Sequence, residues 1–458
     1  MGQITKDIVS VCDDLFAQLA VNDPLSLKRA SRNNSLSEIQ CQIKSVDDVE
    51  EQNKYTIKQI QGGITNILYL IIDHEERYVS YPILLRIYGE NTEYFIDRAK
   101  ESWLFYELGT EKHNYFGPML LGVFGNGRIE EYYTNCHSTL LHERKYCPLI
   151  ATTMQRMHAI HPSMLMYSAK ERSTPIMWAL IDRWYELSCQ VNLKEKLEHN
   201  NNNELDKNED NKGDDKINWK GIKDTISQLK YICEKVQQMH QLEPIQMLNG
   251  AHDSGTKQIQ TQTQTQVQMA YQFMFECVFC HNDLLGGNIL YLQNEQCIKF
   301  VDFEYGHYNY RAFEFANHFC EYCGFDCNWK QWFPNRRHMR DFLACYIKEY
   351  VNSVPVPKDQ QQQYYLPFTL RQLYFNRSQS IENGKKWDQF IESCVDIILV
   401  FACANHLFWG LWSIVQAKFS KIDFDFKKYA QQRLLHGLKF SFEALPDFVK
   451  DMLNIKSC

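Results

Sequence analysis

The sequence predicts an α+β chain in which a small strand-rich segment precedes a larger, mostly helical one. Three observations carry this. Runs rich in β-branched and aromatic residues, Lys54–Ile60, Asn66–Asp73 and Pro82–Tyr88, are separated by turn signals. Two further runs, Met119–Phe124 and Arg128–Tyr133, flank Asn126–Gly127, a dipeptide suited to a tight hairpin turn. From Pro148 onward apolar residues recur at helical spacing, beginning with Ile150, Met154 and Met157.

In chain order, Ile4–Leu19 has the pattern of an amphipathic helix, and the polar run SRNNSLS follows it. Residues 1–50 form an N-terminal extension on this reading, 51–133 a small first lobe, and 134–458 a larger second one. The strands are interrupted by one helical stretch, Ile96–Leu108. Helices are expected at Pro148–Ile160, Trp178–Ser188, Ile222–Met239 and from Arg340 to the end. Two tracts, near 192–218 and near 251–268, are dominated by Asn, Asp, Lys, Gln and Thr. Neither buries enough apolar surface to offset the entropy of ordering, so both are expected to be disordered insertions. Gln360–Gln363 is read as a loop expansion.

Composition narrows the function. The 458 residues include 44% apolar side chains, enough for a sizeable core. Lys and Arg total 49 against 56 Asp and Glu, a net charge of −7, with no concentrated basic block. A nucleic-acid binder needs such a block to displace counterions, so no nucleic-acid partner is expected. The 16 cysteines with a polar, acidic start point to reduced thiols and a cytoplasmic protein. The start MGQITK misses a myristoylation signal because Lys6 stands where Ser or Thr is required. Ile397–Val415 carries no formal charge and is long enough to cross a bilayer, yet Asn405–His406 lies at its centre. It is therefore read as a buried helix, with no membrane span.

The chemistry concentrates in HNDLLGGNILYL, His281–Leu292. It holds His-x-Asp-x-x-x-x-Asn between a strand, Cys277–Cys280, and a second strand, Ile289–Leu292. IKFVDFEYG then brings Asp302 to the end of another apolar strand. Phosphoryl transfer needs this set: one carboxylate to orient the attacking hydroxyl, and an amide and a second carboxylate to hold Mg²⁺ against the phosphates. Taken singly, Asp283 is a turn residue and Asp302 a strand-end residue. Together and in order, they make Asp283 the candidate base and Asn288 and Asp302 the candidate metal ligands. Upstream, QGGITN supplies Gly62 and Gly63 for close backbone approach to phosphate, with Thr65 and Asn66 as donors, although GG between strands is usually only a tight turn. Arg86 in LLRIYG is the candidate phosphate cation, and Glu101 on the following helix its orienting carboxylate. By themselves they would be a surface strand residue and a solvated helix residue.

GGITN, LLRIYG, GRIEEY, HNDLLGGNIL, VDFEYGHYNYRAFEFANHFCEY and FWGLWSIVQAK together resemble the choline/ethanolamine kinases over most of Gln59–Gly437. The resemblance implies a protein-kinase-like bilobal fold, with a small β-rich N-terminal lobe and a larger helical C-terminal lobe. It implies transfer of the γ-phosphate of ATP, with Mg²⁺, to the hydroxyl of choline or ethanolamine, the first step of phosphatidylcholine and phosphatidylethanolamine synthesis. It assigns Asp283 as base, Asn288 and Asp302 as Mg²⁺ ligands, and Arg86 as phosphate cation. Backbone groups of Glu131 and Tyr133 become adenine contacts, and Tyr305, Glu321, Trp409 and Trp412 the amine pocket. It also leaves room for a homodimer, with the N-terminal helix as a candidate interface.

The pocket has its own physical sense. A quaternary ammonium has no N–H to donate, so aromatic faces must hold it, at about 0.5–2 kcal/mol each. Glu321 would supply the counter-charge. Trp409 and Trp412, three apart, share a helical face, which is also what core packing would require. The choice of amine stays open. Glu321–Asp326 departs from the aromatic-rich run usual in choline kinases, and with HNDLL and GGITN it leans to ethanolamine kinases. GRIEEY, RAKESWLF and RAFEFANHFCE lean the other way.

Other signals are weaker. Cys277-x-x-Cys280 and Cys320-x-x-Cys323 suggest zinc, but strand residues three apart face opposite ways and a free Cys is commonly a small core residue. His281 and His318 are read as rings that steady the loop. An aminoglycoside-type phosphotransferase would share the Asp-x-x-x-x-Asn loop but calls for an acidic, open pocket. A protein kinase would carry Arg after His281 and an Ala-Pro-Glu segment. A non-catalytic pseudokinase would be expected to lack one of Asp283, Asn288 and Asp302, and all three are present.

Overall fold

A computed structural model describes residues 50–52, 55–60, 66–74, 81–89, 92, 96–163, 166–202, 217–241, 266–353, 366–420 and 422–452. The expected N-terminal helix, Gly62, Gly63, Thr65 and Gln360–Gln363 lie outside the described residues.

The first unit is built on a six-stranded antiparallel sheet in the order β1-β2-β3-β4-β6-β5. Its strands are β1 (Glu50–Gln52), β2 (Tyr55–Ile60), β3 (Asn66–Asp73), β4 (Ile83–Tyr88), β5 (Leu120–Phe124) and β6 (Gly127–Glu131). Alternation decides which face is apolar. Tyr55, Ile57, Ile71, Ile83, Leu85, Leu121 and Ile129 form one buried cluster with Tyr81. Arg86, next to Leu85 and so on the opposite face, is also buried. Helix α1 (Arg98–Leu108) follows, started by Asp97, whose carboxylate accepts from the Lys100 N–H at 3.0 Å.

The expected split at residue 133 is not the one the fold makes. The first unit runs on to Thr139 and takes back Gly287–Tyr305 and Phe419–Phe424. Strand pairing is the reason. A short strand that the sequence pattern did not announce, β7 (Cys136–Ser138), pairs antiparallel with β9 (Ile289–Leu292), which pairs with β10 (Cys297–Phe300). Asn288 and Asp302 therefore belong to the unit of the first sheet, while Asp283 belongs to the other.

The second unit is mostly helical around one antiparallel pair, β8 (Cys277–Cys280) and β11 (His307–Tyr310). Its main helices are α2 (Cys147–His158), α3 (Ile176–Asn202), α4 (Trp219–Gln241), α5 (Arg311–Glu321), α6 (Arg336–Ser353), α7 (Leu366–Asn376) and α8 (Ile381–Phe419). The expected disorder from 192 needs correction at its edge, because α3 continues helically through Asn202. Residues 203–216 and 251–265 lie outside the described residues, and 266–268 already belong to a helix. The apolar run lies within α8, and 94% of its most apolar window is buried inside the protein. Its polar centre finds partners there. Asn405 donates to the Asn317 side-chain oxygen at 2.8 Å, and His406 Nε2 meets Ser441 Oγ at 3.0 Å.

The turn into β6 leaves no room for a side chain. A Cβ on Gly127 would collide with the carbonyl oxygen of Arg86 and the ring of Phe124. Gly127→Ala is expected to lower unfolding free energy by about 1–3 kcal/mol, the usual range for overpacking, as measured by urea denaturation.

Candidate active site

In the first unit the site rests on a chain of buried ions. Arg86 and Arg128 are register partners across β4 and β6, so two like charges face each other in the interior. Glu130, on the same face two residues after Arg128, resolves this. Its Oε1 accepts from Arg86 Nε at 2.6 Å and from Arg128 Nε at 2.8 Å. Arg128 Nη1 donates to Glu101 at 2.6 Å, and Glu101 also accepts from Arg98 at 2.6 Å. At the other end, Arg86 Nη1 lies 3.2 Å from both carboxylate oxygens of Asp302.

This corrects one expected pairing: the carboxylate that orients Arg86 is Glu130, and Glu101 holds Arg128 and Arg98. The reason is register. Position 130 shares the buried face of β6 with Arg128, directly beside Arg86, whereas Glu101 lies on α1. Burial pushes Glu101 up, but Arg128 and Arg98 outweigh it and keep its carboxyl below the usual range. Burial opposes the charge on Arg86, yet Asp302 and Glu130 keep its guanidinium firmly protonated.

Asp302 has φ 66°, a left-handed conformation that Asp tolerates better than most residues. The Val301 N–H donates to the carbonyl of Asn288 at 3.0 Å, tying the two candidate metal ligands together through the backbone. A third carboxylate joins them. Oxygens of Glu101, Asp302 and Glu304 lie within 4.8 Å of one another. Burial, then Asp302 and Glu101, push Glu304 up to about 7 against the pull of Arg98 and Arg86. Described carboxylates in this cluster (Glu101, Glu130, Asp302, Glu304) outnumber the guanidiniums of Arg86, Arg98 and Arg128. A hard divalent cation on oxygen donors fits that imbalance. Glu304 escaped the sequence reading, although DFEY in the quoted motif contains it. Asn66 donates to Glu304 at 3.1 Å and accepts from Arg98 at 3.1 Å, so it braces this cluster.

Glu131 closes β6. Its N–H is bonded to the Met119 carbonyl at 2.9 Å, and the Tyr133 carbonyl accepts from the Cys136 thiol at 3.1 Å. Tyr305 is buried in this same unit, whereas Glu321, Trp409 and Trp412 belong to the second.

In the second unit Asp283 is part-buried in a loop whose backbone is held in place. Asn282 is left-handed, φ 65°. The carboxylate of Glu314 on α5 accepts its N–H at 3.1 Å, with a further bond from the His281 backbone. Asn309 donates to the Asn282 side-chain oxygen at 2.8 Å, and Asn282 donates to the His307 carbonyl at 3.2 Å. His318 Nδ1 donates to the Leu284 carbonyl at 3.0 Å, and burial lowers its pKa to about 4, so the ring is neutral. His281 is fully buried. Cys280 sits with His158 and Glu314, 3.9 Å from His158 Nε2, rather than with Cys277.

Trp409 and Trp412 meet edge to face at 5.3 Å, and Trp409 Nε1 donates to Asn317 at 2.8 Å. Glu321, expected to be the counter-charge of an ammonium, already has a neighbour: Arg433 Nη2 lies 3.4 Å from its Oε1. Burial raises the Glu321 carboxyl while Arg433 pulls it down. Tyr429 also belongs here, since it feels Glu321, Arg433 and Asp283. Linear spacing carried no sign of Arg433 or Tyr429, which lie more than a hundred residues from Glu321.

The fold is protein-kinase-like. Residues 57–436 match the model of the choline/ethanolamine kinase family, and the chain belongs to that family. It is 29% identical over 381 residues to a probable ethanolamine kinase A of Dictyostelium discoideum, covering 82% of this chain and 83% of that protein. It is 27% identical over 383 residues to a human choline/ethanolamine kinase, covering 82% and 77%. Among solved structures, a choline kinase from Cryptosporidium parvum aligns with TM-score 0.56 at 22% identity, covering 92% and 99%. A Plasmodium vivax ethanolamine kinase aligns at 0.55 and 23%, covering 87% and 85%.

Glu314 sets a pH test. Burial raises its carboxyl from 4.5 to about 7 in the folded chain. A raised carboxyl favours folding below its unfolded pKa, and that contribution is lost as pH rises toward the folded value. Glu314→Gln should therefore flatten the fall in Tm between about pH 4.5 and 7, followed by calorimetry against the wild type.

Proposed function

We propose that the chain transfers the γ-phosphate of ATP to the hydroxyl of choline or ethanolamine. The observation that carries this is the anchored pair of Asp302 and Arg86, with Asn288 one backbone hydrogen bond from Val301. Asn288 and Asp302, with Glu304 beside them, would hold Mg²⁺, which neutralises charge on the transferring phosphates when bound. Arg86, its fork oriented by Glu130, adds a fixed positive charge for the phosphates. The N–H of Glu131 is taken by Met119, so its adenine contact falls to the carbonyl, with Tyr133 following. Asp283, its loop held by Glu314 and His318, orients the attacking hydroxyl and receives its proton. Little covalent work is left, so positioning dominates the rate.

For the amine, Trp409 and Trp412 supply aromatic faces and Glu321 supplies charge. We further infer a cytoplasmic enzyme of phospholipid synthesis without a membrane span. In support, α8 is buried as a core helix, and the described cysteines Cys136, Cys147, Cys280 and Cys320 are free thiols. A homodimer remains part of the proposal.

Purified protein with Mg-ATP should release ADP on addition of choline or ethanolamine, and Asp283→Ala should lose this by at least about a hundredfold while keeping its circular dichroism. No turnover with either amine would sink the reading. Trp409→Ala should raise the amine KM by roughly tenfold, since loss of one ring contact of about 1–2 kcal/mol corresponds to that factor. Comparing the two amines in this variant reports which one depends on the ring.

A further inference from the structure

The candidate amine pocket is organised by a residue outside its expected set. Arg433 is fully buried and lies in a π-helical turn, Gln432–Gly437. Such turns are rare and concentrate at functional positions. Two glycines let this turn press against α8. A Cβ on Gly410 would come within 2.5 Å of Leu434, and one on Gly437 within 2.7 Å of His406.

The close approach aims the guanidinium at two targets. Arg433 Nη2 lies 3.4 Å from Glu321 Oε1 and donates to Asn405 Oδ1 at 2.8 Å. Asn405 donates in turn to Asn317 Oδ1 at 2.8 Å, the same oxygen that accepts from Trp409 Nε1 at 2.8 Å. The rings of Trp329 and Tyr429 flank the guanidinium at 5.5 Å each.

We propose that Arg433 is the positioning residue of the amine site: one buried guanidinium fixes the carboxylate of Glu321 and, through Asn405 and Asn317, the indole of Trp409. This rests on the amine-kinase reading above. The arrangement has two consequences. Arg433 pulls the Glu321 carboxyl down against the burial that raises it, and it shares the negative charge of the carboxylate with the incoming ammonium. The groups around Glu321 leave this task to Arg433. Burial keeps the Cys320, Cys323 and Cys327 thiols and the Tyr429 phenol protonated. Burial and Arg433 keep His406 neutral. Asp283 reaches this group as a further negative charge on Tyr429.

The test compares Arg433→Gln, Arg433→Lys and Asn405→Ala by steady-state kinetics with choline and ethanolamine across pH. Without Arg433, burial acts on Glu321 unopposed and its pKa climbs. Arg433→Gln should therefore raise the amine KM about tenfold and move the acid limb of amine kcat/KM up by about one pH unit, with KM for Mg-ATP within about twofold. Asn405→Ala cuts the link to Trp409 and should raise the amine KM while leaving the acid limb in place. If Arg433→Gln does not fold, Arg433→Lys and Asn405→Ala decide, and raised amine KM in both supports the assignment. Folded variants with unchanged amine KM and unmoved acid limb overturn it, as does an equal rise in KM for Mg-ATP. Absence of wild-type turnover with either amine overturns the kinase reading and this inference with it. Turnover by the wild type with unaltered variants overturns only the inference.

Discussion

Two arginines facing each other across adjacent strands set the terms for the first unit. Arg86 and Arg128 occupy register positions on β4 and β6, both out of water. Like charges so placed repel strongly where the dielectric is low. Glu130 bridges both and Glu101 takes the far end of Arg128, which offsets that repulsion. A guanidinium is planar, with donors in a fixed fork, so fixing its Nε also fixes where its Nη atoms point. The bond that settles the repulsion therefore turns Arg86 Nη1 toward Asp302. A hydrophobic pair could pack this space with equal stability, but it could not present a rigid cation to a phosphate.

The second unit uses neutral groups to the same end. Asn317 receives two donors on one oxygen, from Asn405 and Trp409, and so binds α5 to α8 at the level of the tryptophans. Glu314, one turn earlier on α5, grips the backbone before Asp283. One helix thus steadies the loop of the candidate base with one end and the candidate amine pocket with the other. Glycines at 410 and 437 permit the close packing that brings Arg433 in. Buried polar networks of this kind tolerate little change, because each unpaired member carries a desolvation penalty of about 1–3 kcal/mol.

Much of the fold was legible in the chain. Asn66–Asp73 and Ile289–Leu292 are strands with the expected limits, because β-branched runs bounded by turn residues have few alternatives. Local signals failed where pairing is long-range. β7 is three residues of Cys, His and Ser, with no strand pattern, and exists because β9 is there to pair with it. β11 hid inside a motif read for its chemistry. The helical tail of α3 runs through Asn and Glu, where composition argues against order.

The candidate site divides in the same way. Spacing alone nominated Asp283, Asn288 and Asp302 as candidates, from short strands each followed by a polar loop. Helical period alone put Trp409 and Trp412 on one face. The partners were decided by tertiary structure. Arg86 meets Glu130 rather than Glu101 because strand register places them together, and Glu321 meets Arg433 because a π-helical turn packs onto Gly410. Sequence separation sets no limit on such contacts: which charge neutralises which is settled only when burial removes water as the alternative partner.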